Sequence, residues 1–255
     1  MFNDNNKKRK HMSNVNKKAS KNKKRNEENF QEQITLLNVD PLTENQEIAF
    51  DSFDDGKNLL MTGTAGTGKT FLSLYLGMEL LSKDKTKNNL IIIRSLVSTR
   101  DIGFLPGSEK EKAMVYEAPY YALFSELYKR GDAYELFKAK NLVRFISTSF
   151  VRGITINNSI IVIDEIQNMS SSEIHSVFTR IGKNCRVIIC GDIKQNDLSK
   201  GREKSGFEDF FKVINNMKEF ESIEFTKEDI VRSGLVKSYI IERENLELQG
   251  KISTI

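Results

Sequence analysis

Residues Gly63-Thr64-Ala65-Gly66-Thr67-Gly68-Lys69-Thr70 spell G-x-x-x-x-G-K-[ST] between two apolar runs. Upstream, Asn58-Leu59-Leu60-Met61 reads as a short buried strand. Downstream, residues 71–81 carry the i, i+3, i+4 apolar spacing of a helix. Strand, glycine loop and helix together make a phosphate cradle. The glycines let successive backbone N–H groups turn inward, and the helix N-terminus adds partial positive charge. Lys69 is then expected to reach the β- and γ-phosphates and the Thr70 hydroxyl to ligate Mg²⁺. At an average glycine usage of about 7%, a chain of this length meets the bare pattern by chance roughly once in a hundred. The flanking strand and helix lower that further, so the pattern implies a nucleoside-triphosphate site.

The 255 residues suffice for one large α/β domain with a proper core. The chain has no unbroken apolar run long enough for a membrane span. Its charged first residues do not read as a signal peptide. Cys185 and Cys190 are the only cysteines, five positions apart in one apolar run. On a strand they face opposite sides and cannot bridge, so they are expected to be buried thiols in a reducing cytosol. His11 and His175 are too few and too far apart for a metal cage.

Charge is unevenly placed. Residues 1–29 hold ten Lys or Arg against Asp4, Glu27 and Glu28, a local +7 in a chain of net +4. With so few apolar residues, a tail over 1–30 is expected to be disordered. It reads either as a basic arm for nucleic-acid phosphates or as a solubilising tail.

No repeat or Pro-rich linker interrupts residues 31–255, which read as a single domain. Strand-type runs recur at 59–61, 90–93, 142–146, 160–163, 187–190 and 223–225. Helical patterns lie between most of them, as at 118–129, 171–181 and 207–217. Unbroken apolar strands alternating with helices predict a mostly parallel, doubly wound sheet with helices on both faces. Such sheets bind ligands at the carboxyl ends of their strands.

The remaining motifs fall at such ends. Ile160-Ile161-Val162-Ile163 runs straight into Asp164-Glu165. A carboxylate at the end of a buried strand needs a compensating partner. Beside a P-loop, Asp164 reads as the residue that holds Mg²⁺, and Glu165 as the group that orients or deprotonates the attacking water. Cys190-Gly191-Asp192-Ile193-Lys194-Gln195 ends the next strand, with Gln195 as a candidate γ-phosphate sensor. Ahead of the core, Thr43 and Gln46 have the spacing of a capping box. The functional alternative has the Gln46 amide read the adenine edge.

Together these motifs resemble those of the PhoH-like family of P-loop ATPases, relatives of superfamily-one helicases, over roughly residues 38–245. The P-loop, Asp164-Glu165-Ile166-Gln167-Asn168 and Gly191-Asp192-Ile193-Lys194-Gln195 match the family's main blocks. Gly103-Phe104-Leu105-Pro106-Gly107, with Pro119-Tyr120 and Leu123, resembles a family-specific insertion. Phe150-Val151-Arg152-Gly153 and Asp229-Ile230-Val231-Arg232-Ser233 resemble two further blocks. Arg94 stands where the family has Arg-Pro, with Ser95 in place of the proline. Ser199 likewise stands where proline is usual.

The resemblance implies a RecA-like sheet, ATP and Mg²⁺ as cofactors, and hydrolysis. Residues 63–70 are expected to bind nucleotide; Gly63, Thr64, Ala65, Gly66, Thr67, Gly68, Lys69 and Thr70 form the cradle and Gln46 the base reader. Lys69, Glu165, Gln195 and Arg232 are the expected catalytic residues, with Thr70 and Asp164 on the metal. If Arg232 cannot reach its own phosphate it must serve a neighbour's, which implies a ring, hexameric by resemblance. Arg94, Arg100 and Arg152 are candidate contacts to single-stranded RNA or DNA, with RNA favoured. A bacterial cytosol, or a phage acting in one, is the expected setting. Two rivals stand beside this reading. Thr226-Lys227-Glu228-Asp229 imitates the guanine-reading N-K-x-D motif of GTPases, although no Asp-x-x-Gly follows the strand ending at Ile163. A nucleotide-gated binding or assembly module with negligible turnover is the other.

Overall fold

The computed structural model describes residues 34–96, 109–192 and 207–252. The chain divides into two units, Met1–Leu37 and Asn38–Ile255. Of the first, only residues 34–37 are described, and they carry no helix or strand. The basic tail lies outside the described residues.

The second unit runs α1 (Glu44–Asp54), β1 (Asn58–Gly63), α2 (Lys69–Lys83), β2 (Asn89–Arg94), α3 (Glu109–Tyr128) and α4 (Ala133–Ala139). There follow β3 (Val143–Ser147), α5 (Thr148–Val151), β4 (Ser159–Ile163), α6 (Ser171–Phe178), β5 (Arg186–Cys190), α7 (Phe207–Ile214), β6 (Phe220–Phe225) and α8 (Gly234–Leu248). Each of the six strand-type runs in the sequence forms a strand. They build one sheet in the order β3-β2-β4-β5-β1-β6, and every neighbouring pair is parallel.

The sequence of the central strands explains the layering. Leu90-Ile91-Ile92-Ile93 and Ile160-Ile161-Val162-Ile163 are buried at every position, as strands covered on both faces require. Side chains of one parity (Ile91, Ile93, Ile161, Ile163, Val187 and Ile189) join a core with residues of α6 and α7. The opposite parity meets α2. A Cβ on Gly77 of that helix would run into Leu90 and come within 3.4 Å of Ile160 Cγ2. Edge strand β6 instead mixes buried Ile223 and Phe225 with exposed Ser222 and Glu224, the half-covered pattern of a sheet border.

All strands point the same way, so Gly63, Arg94, Ser147, Asp164, Gly191 and Phe225 end or follow strands on one rim. The ladder reaches past the strands there. Asp164 N–H donates to Ile93 O at 2.9 Å, Gly191 N–H to Met61 O at 3.1 Å and Thr64 N–H to Phe225 O at 2.9 Å. Gly63 has φ +107°, and a Cβ on it would collide with the Phe225 carbonyl oxygen. Only glycine permits this exit from β1.

Of the two cysteines, Cys190 is buried at the end of β5. Cys185 precedes that strand and is partly exposed, because its strand begins one residue later than the apolar run. Both thiols are free.

Candidate functional site

Residues 63–70 arch from β1 to α2, with Gly68 as the N-cap of the helix in the left-handed region. Lys69 Nζ folds back on the arch and donates to Gly63 O and Thr64 O at 2.7 Å each. Thr67 Oγ1 donates to Thr64 O at 3.0 Å, bracing the turn from within. Burial pulls the Lys69 ammonium below the usual lysine range, while Asp192, Cys190, Glu165 and Asp164 work to hold the charge.

Gln46 approaches this arch from α1. Its Nε2 donates to Thr67 O at 3.1 Å and its Oε1 accepts from Leu42 N–H at 2.9 Å. Only half of a capping box forms at this helix. Thr43 Oγ1 accepts from Gln46 N–H at 3.4 Å, but the Gln46 side chain turns to Leu42 and the loop rather than to the Thr43 backbone. The residue is buried and fixed against the phosphate loop.

The C-terminal part of the chain covers the other side. Val231 N–H donates to Gly66 O at 3.2 Å. A Cβ on Gly66 would lie 3.1 Å from Arg232 Cγ and 3.2 Å from Ile240 Cδ1. From α8, Glu244 Oε1 accepts from Thr64 Oγ1 at 2.9 Å. The stem of Arg232 lies against the P-loop of the same chain, and the residue as a whole is exposed.

Across the sheet, Asp164 is fully buried after β4. Its Oδ1 accepts from Thr70 Oγ1 at 3.1 Å and its Oδ2 from the Tyr120 hydroxyl at 2.8 Å. Burial, with the adjacent Glu165 carboxylate, raises its pKa; Arg94, Tyr120 and Thr70 pull the other way. Oxygen donors at Thr70 and Asp164 suit a hard cation such as Mg²⁺, which binds through one or two carboxylates plus substrate phosphates. Among the described residues no cluster of three or more His, Cys, Asp or Glu is arranged to hold a metal, and such a cation needs none.

Glu165 takes a positive φ of 54°, an uncommon conformation for a residue with a side chain. Gln167 holds the result in place. Its Nε2 donates to Glu165 Oε2 at 2.5 Å, and its Oε1 accepts from Asp192 N–H at 3.0 Å. One buried amide thus joins the ends of β4 and β5. Gly191 allows the approach, since a Cβ there would sit 2.7 Å from Ile166 Cγ2 and 3.0 Å from Gln167 Oε1.

Arg94 and Arg152, both read from the sequence as nucleic-acid contacts, end in different surroundings. Arg94 lies over the Tyr116 ring, 5.7 Å from its centroid, and bonds the Tyr120 hydroxyl. Burial disfavours its charge, but Tyr120, Asp164 and Glu165 more than offset this. Arg152 is exposed after α5, between Phe150, which is 53% exposed, and Gly153. Arg100, Gln195, Ser199 and residues 103–107 lie outside the described residues.

Sequence reasoning assigned no role to Tyr120, Gln167 or Glu173, and to Asp229 only the rival guanine-reading one. Tyr120 and Gln167 were quoted within motifs, and that was the only available signal. Glu173 is a hub. Its carboxylate accepts from Ser95 Oγ at 2.9 Å, Ser170 Oγ and N–H at 2.9 Å each, and the Thr148 hydroxyl. The Asp229 carboxylate, which mimics the last position of N-K-x-D, is committed inside the protein. It accepts from Asn45 Nδ2 and Thr226 N–H, both at 2.8 Å, and from Thr226 Oγ1 at 3.3 Å. It is not turned out to read a guanine.

The family model described as PhoH-like protein matches residues 38–242. A PhoH-like protein of Mycobacterium leprae is 31% identical over 205 residues, covering 79% of this chain and 57% of the relative. Protein PhoH of Escherichia coli is 34% identical over 184 residues, covering 71% and 51%. The chain thus spans just over half the length of the curated relatives it matches. Among solved structures, the large terminase of a thermophilic bacteriophage aligns with a TM-score of 0.47 at 11% identity, over 81% of this chain and 50% of that one.

Proposed function

The chain belongs to the PhoH-like family of P-loop ATPases, and on that premise we propose that it hydrolyses ATP with Mg²⁺ and couples turnover to single-stranded nucleic acid, RNA before DNA. The observation that carries the hydrolytic part is the Asp164 carboxylate bonded to Thr70 beside Glu165. Residues 63–70 offer their amides to the phosphates, and Lys69 turns from the loop carbonyls to the β- and γ-oxygens. Thr70 and Asp164 would hold Mg²⁺, which would supply charge neutralisation at the phosphate oxygens. Glu165, steadied by Gln167, accepts a proton from the attacking water. Arg232 supplies positive charge from the same chain. Gln46 reads the adenine edge, and the commitment of Asp229 within the fold favours ATP over GTP.

The nucleic-acid part draws on the tail of residues 1–29 with its +7 charge and on exposed Phe150 beside Arg152. A free aromatic face and a guanidinium are the elements of a stacking and phosphate contact. A homo-oligomer, hexameric by family resemblance, belongs to the proposal on that resemblance alone, as does a cytoplasmic setting. Among the described residues no helix is long and apolar enough to cross a membrane.

Steady-state ATP hydrolysis with and without single-stranded RNA and DNA tests this, with Glu165→Gln as the blank. Stimulation by RNA above DNA supports the coupling. Turnover indifferent to both removes the nucleic-acid part. No turnover above the blank removes hydrolysis and leaves a nucleotide-gated binding module.

A further inference from the structure

Asp229 is 3% exposed and follows β6 in a short 3₁₀ turn. A buried carboxylate must be satisfied by donors, and its donors come from two distant parts of the chain. Thr226 gives its N–H and hydroxyl, which is ordinary capping of the turn. Asn45 Nδ2 donates from 184 residues away at 2.8 Å, and the Thr43 hydroxyl also bonds it. Neither of those two bonds caps the turn. They dock the start of α1 on the end of β6, and Asn45 adds a bond to Glu224 O at 3.2 Å.

What adjoins each side of this node is the same loop. One residue past Asn45, Gln46 Nε2 bonds Thr67 O. Two residues past Asp229, Val231 N–H bonds Gly66 O, and the stem of Arg232 follows over Gly66. We infer that Asp229 is a positioning residue of the nucleotide site, which holds Gln46 and the segment of Val231 and Arg232 at a fixed separation across residues 63–70. Base recognition on one side of the loop and arginine placement on the other are set by one carboxylate. The inference rests on the proposed ATP reading and adds to it how adenine preference and catalytic charge are linked.

Capping alone and positioning make different demands. If Asp229 only caps the turn, losing Asn45 is harmless and losing Thr226 is not. If it positions, the reverse holds for nucleotide binding. The test measures equilibrium binding of fluorescent ATP and GTP analogues, together with KM and kcat for ATP. The full chain is compared with Asn45→Ala, Asp229→Ala, Asp229→Asn, Thr226→Val and the Asn45→Ala/Asp229→Ala pair.

Asn45→Ala should weaken the ATP analogue by roughly tenfold, the loss of one hydrogen bond to a charged group. Asp229→Ala, which also frees Thr43 and Thr226, should weaken it at least as much, and both should erase preference over GTP. The pair should be no worse than Asp229→Ala alone, because that change already cuts the link to Asn45. Asp229→Asn, which keeps an acceptor oxygen, should recover part of the preference, and Thr226→Val should keep it. Asn45 is only half-buried at the start of α1, so its variant reads the link even if Asp229→Ala fails to fold. Unchanged ATP affinity and base preference in Asn45→Ala overturns the inference, as do additive losses in the pair. Equal binding of both analogues by the unmodified chain overturns it too. Failure of the unmodified chain to bind any nucleotide is a separate result, and overturns the ATP reading itself.

Discussion

The Tyr120 hydroxyl donates a 2.8 Å hydrogen bond to Oδ2 of Asp164, leaving Oδ1 to face Thr70. A helix whose motif was legible only as a family signature thereby fixes the rotation of the carboxylate expected to hold Mg²⁺. Groups that orient a metal ligand typically change metal affinity by about 10–100-fold when removed. Tyr120→Phe keeps the ring, which packs 5.8 Å from Phe145, and deletes only the hydroxyl, with its bonds to Asp164 and Arg94. The Mg²⁺ concentration giving half-maximal ATP turnover should rise about tenfold, with maximal turnover nearly kept. Mg²⁺-dependent binding of a fluorescent ATP analogue should shift in parallel. An unmoved Mg²⁺ requirement would reduce Tyr120 to a core residue.

Gln167 bonds Glu165 with one end of its amide and the Asp192 backbone with the other. Gln167→Ala should leave nucleotide affinity intact and lower kcat by about 10²-fold, the low end of what a positioned general base contributes. A rise in KM at constant kcat would mean that the amide serves binding instead.

Much of the frame was legible because its signals are local. Six strands announced themselves as short apolar runs, the central ones unbroken stretches of Leu, Ile and Val, and the phosphate loop as one eight-residue pattern. Asp164 was legible because a carboxylate at the end of a buried strand asks for a reason. The partners of these residues were not. Tyr120 meets Asp164 across 44 positions and Asn45 meets Asp229 across 184, and no periodicity encodes such pairs. The stem of Arg232 over Gly66 was not legible for the same reason, since nothing in its surroundings reveals that Val231 bonds Gly66. Gln46 was half legible. The spacing predicts its backbone bond to Thr43, but the amide prefers the loop because Thr67 O is within its reach.

Gly191 should tolerate no side chain. An alanine Cβ would meet Ile166 Cγ2 and Gln167 Oε1, and forced overpacking of this kind costs about 1–3 kcal/mol. Gly191→Ala should lower the thermal midpoint and also reduce kcat, because the atom it displaces belongs to the amide that steadies Glu165. Gly131, where nothing lies within 4 Å of a Cβ, is the control. Gly131→Ala should change neither quantity. Equal effects at both positions would defeat the argument.

Glu173 should shape the acid limb of stability. Burial raises its pKa, but the hydroxyls of Thr148, Ser170 and Ser95 and the Ser170 N–H outweigh it and leave the group below its ordinary value of 4.5. A depressed carboxylate is stabilising above the pKa of the unfolded chain, and that contribution fades as pH falls through the lower folded value. Thermal midpoints should therefore hold from neutral pH down to about 4.5 and then drop. Asp229 is depressed too, with hydrogen bonds from Thr43, Asn45 and Thr226 outweighing burial, so the Glu173 share must be isolated by mutation. Glu173→Gln removes the titrating charge. It should lower stability at neutral pH by about 2 kcal/mol, a hydrogen bond to a charged group, and make the decline below 4.5 shallower. Ser95 Oγ is one of the donors to this carboxylate, so Ser95→Ala should act in the same direction and more weakly. A Glu173→Gln profile that runs parallel to that of the unmodified chain at every pH would show that this carboxylate does not carry the acid sensitivity.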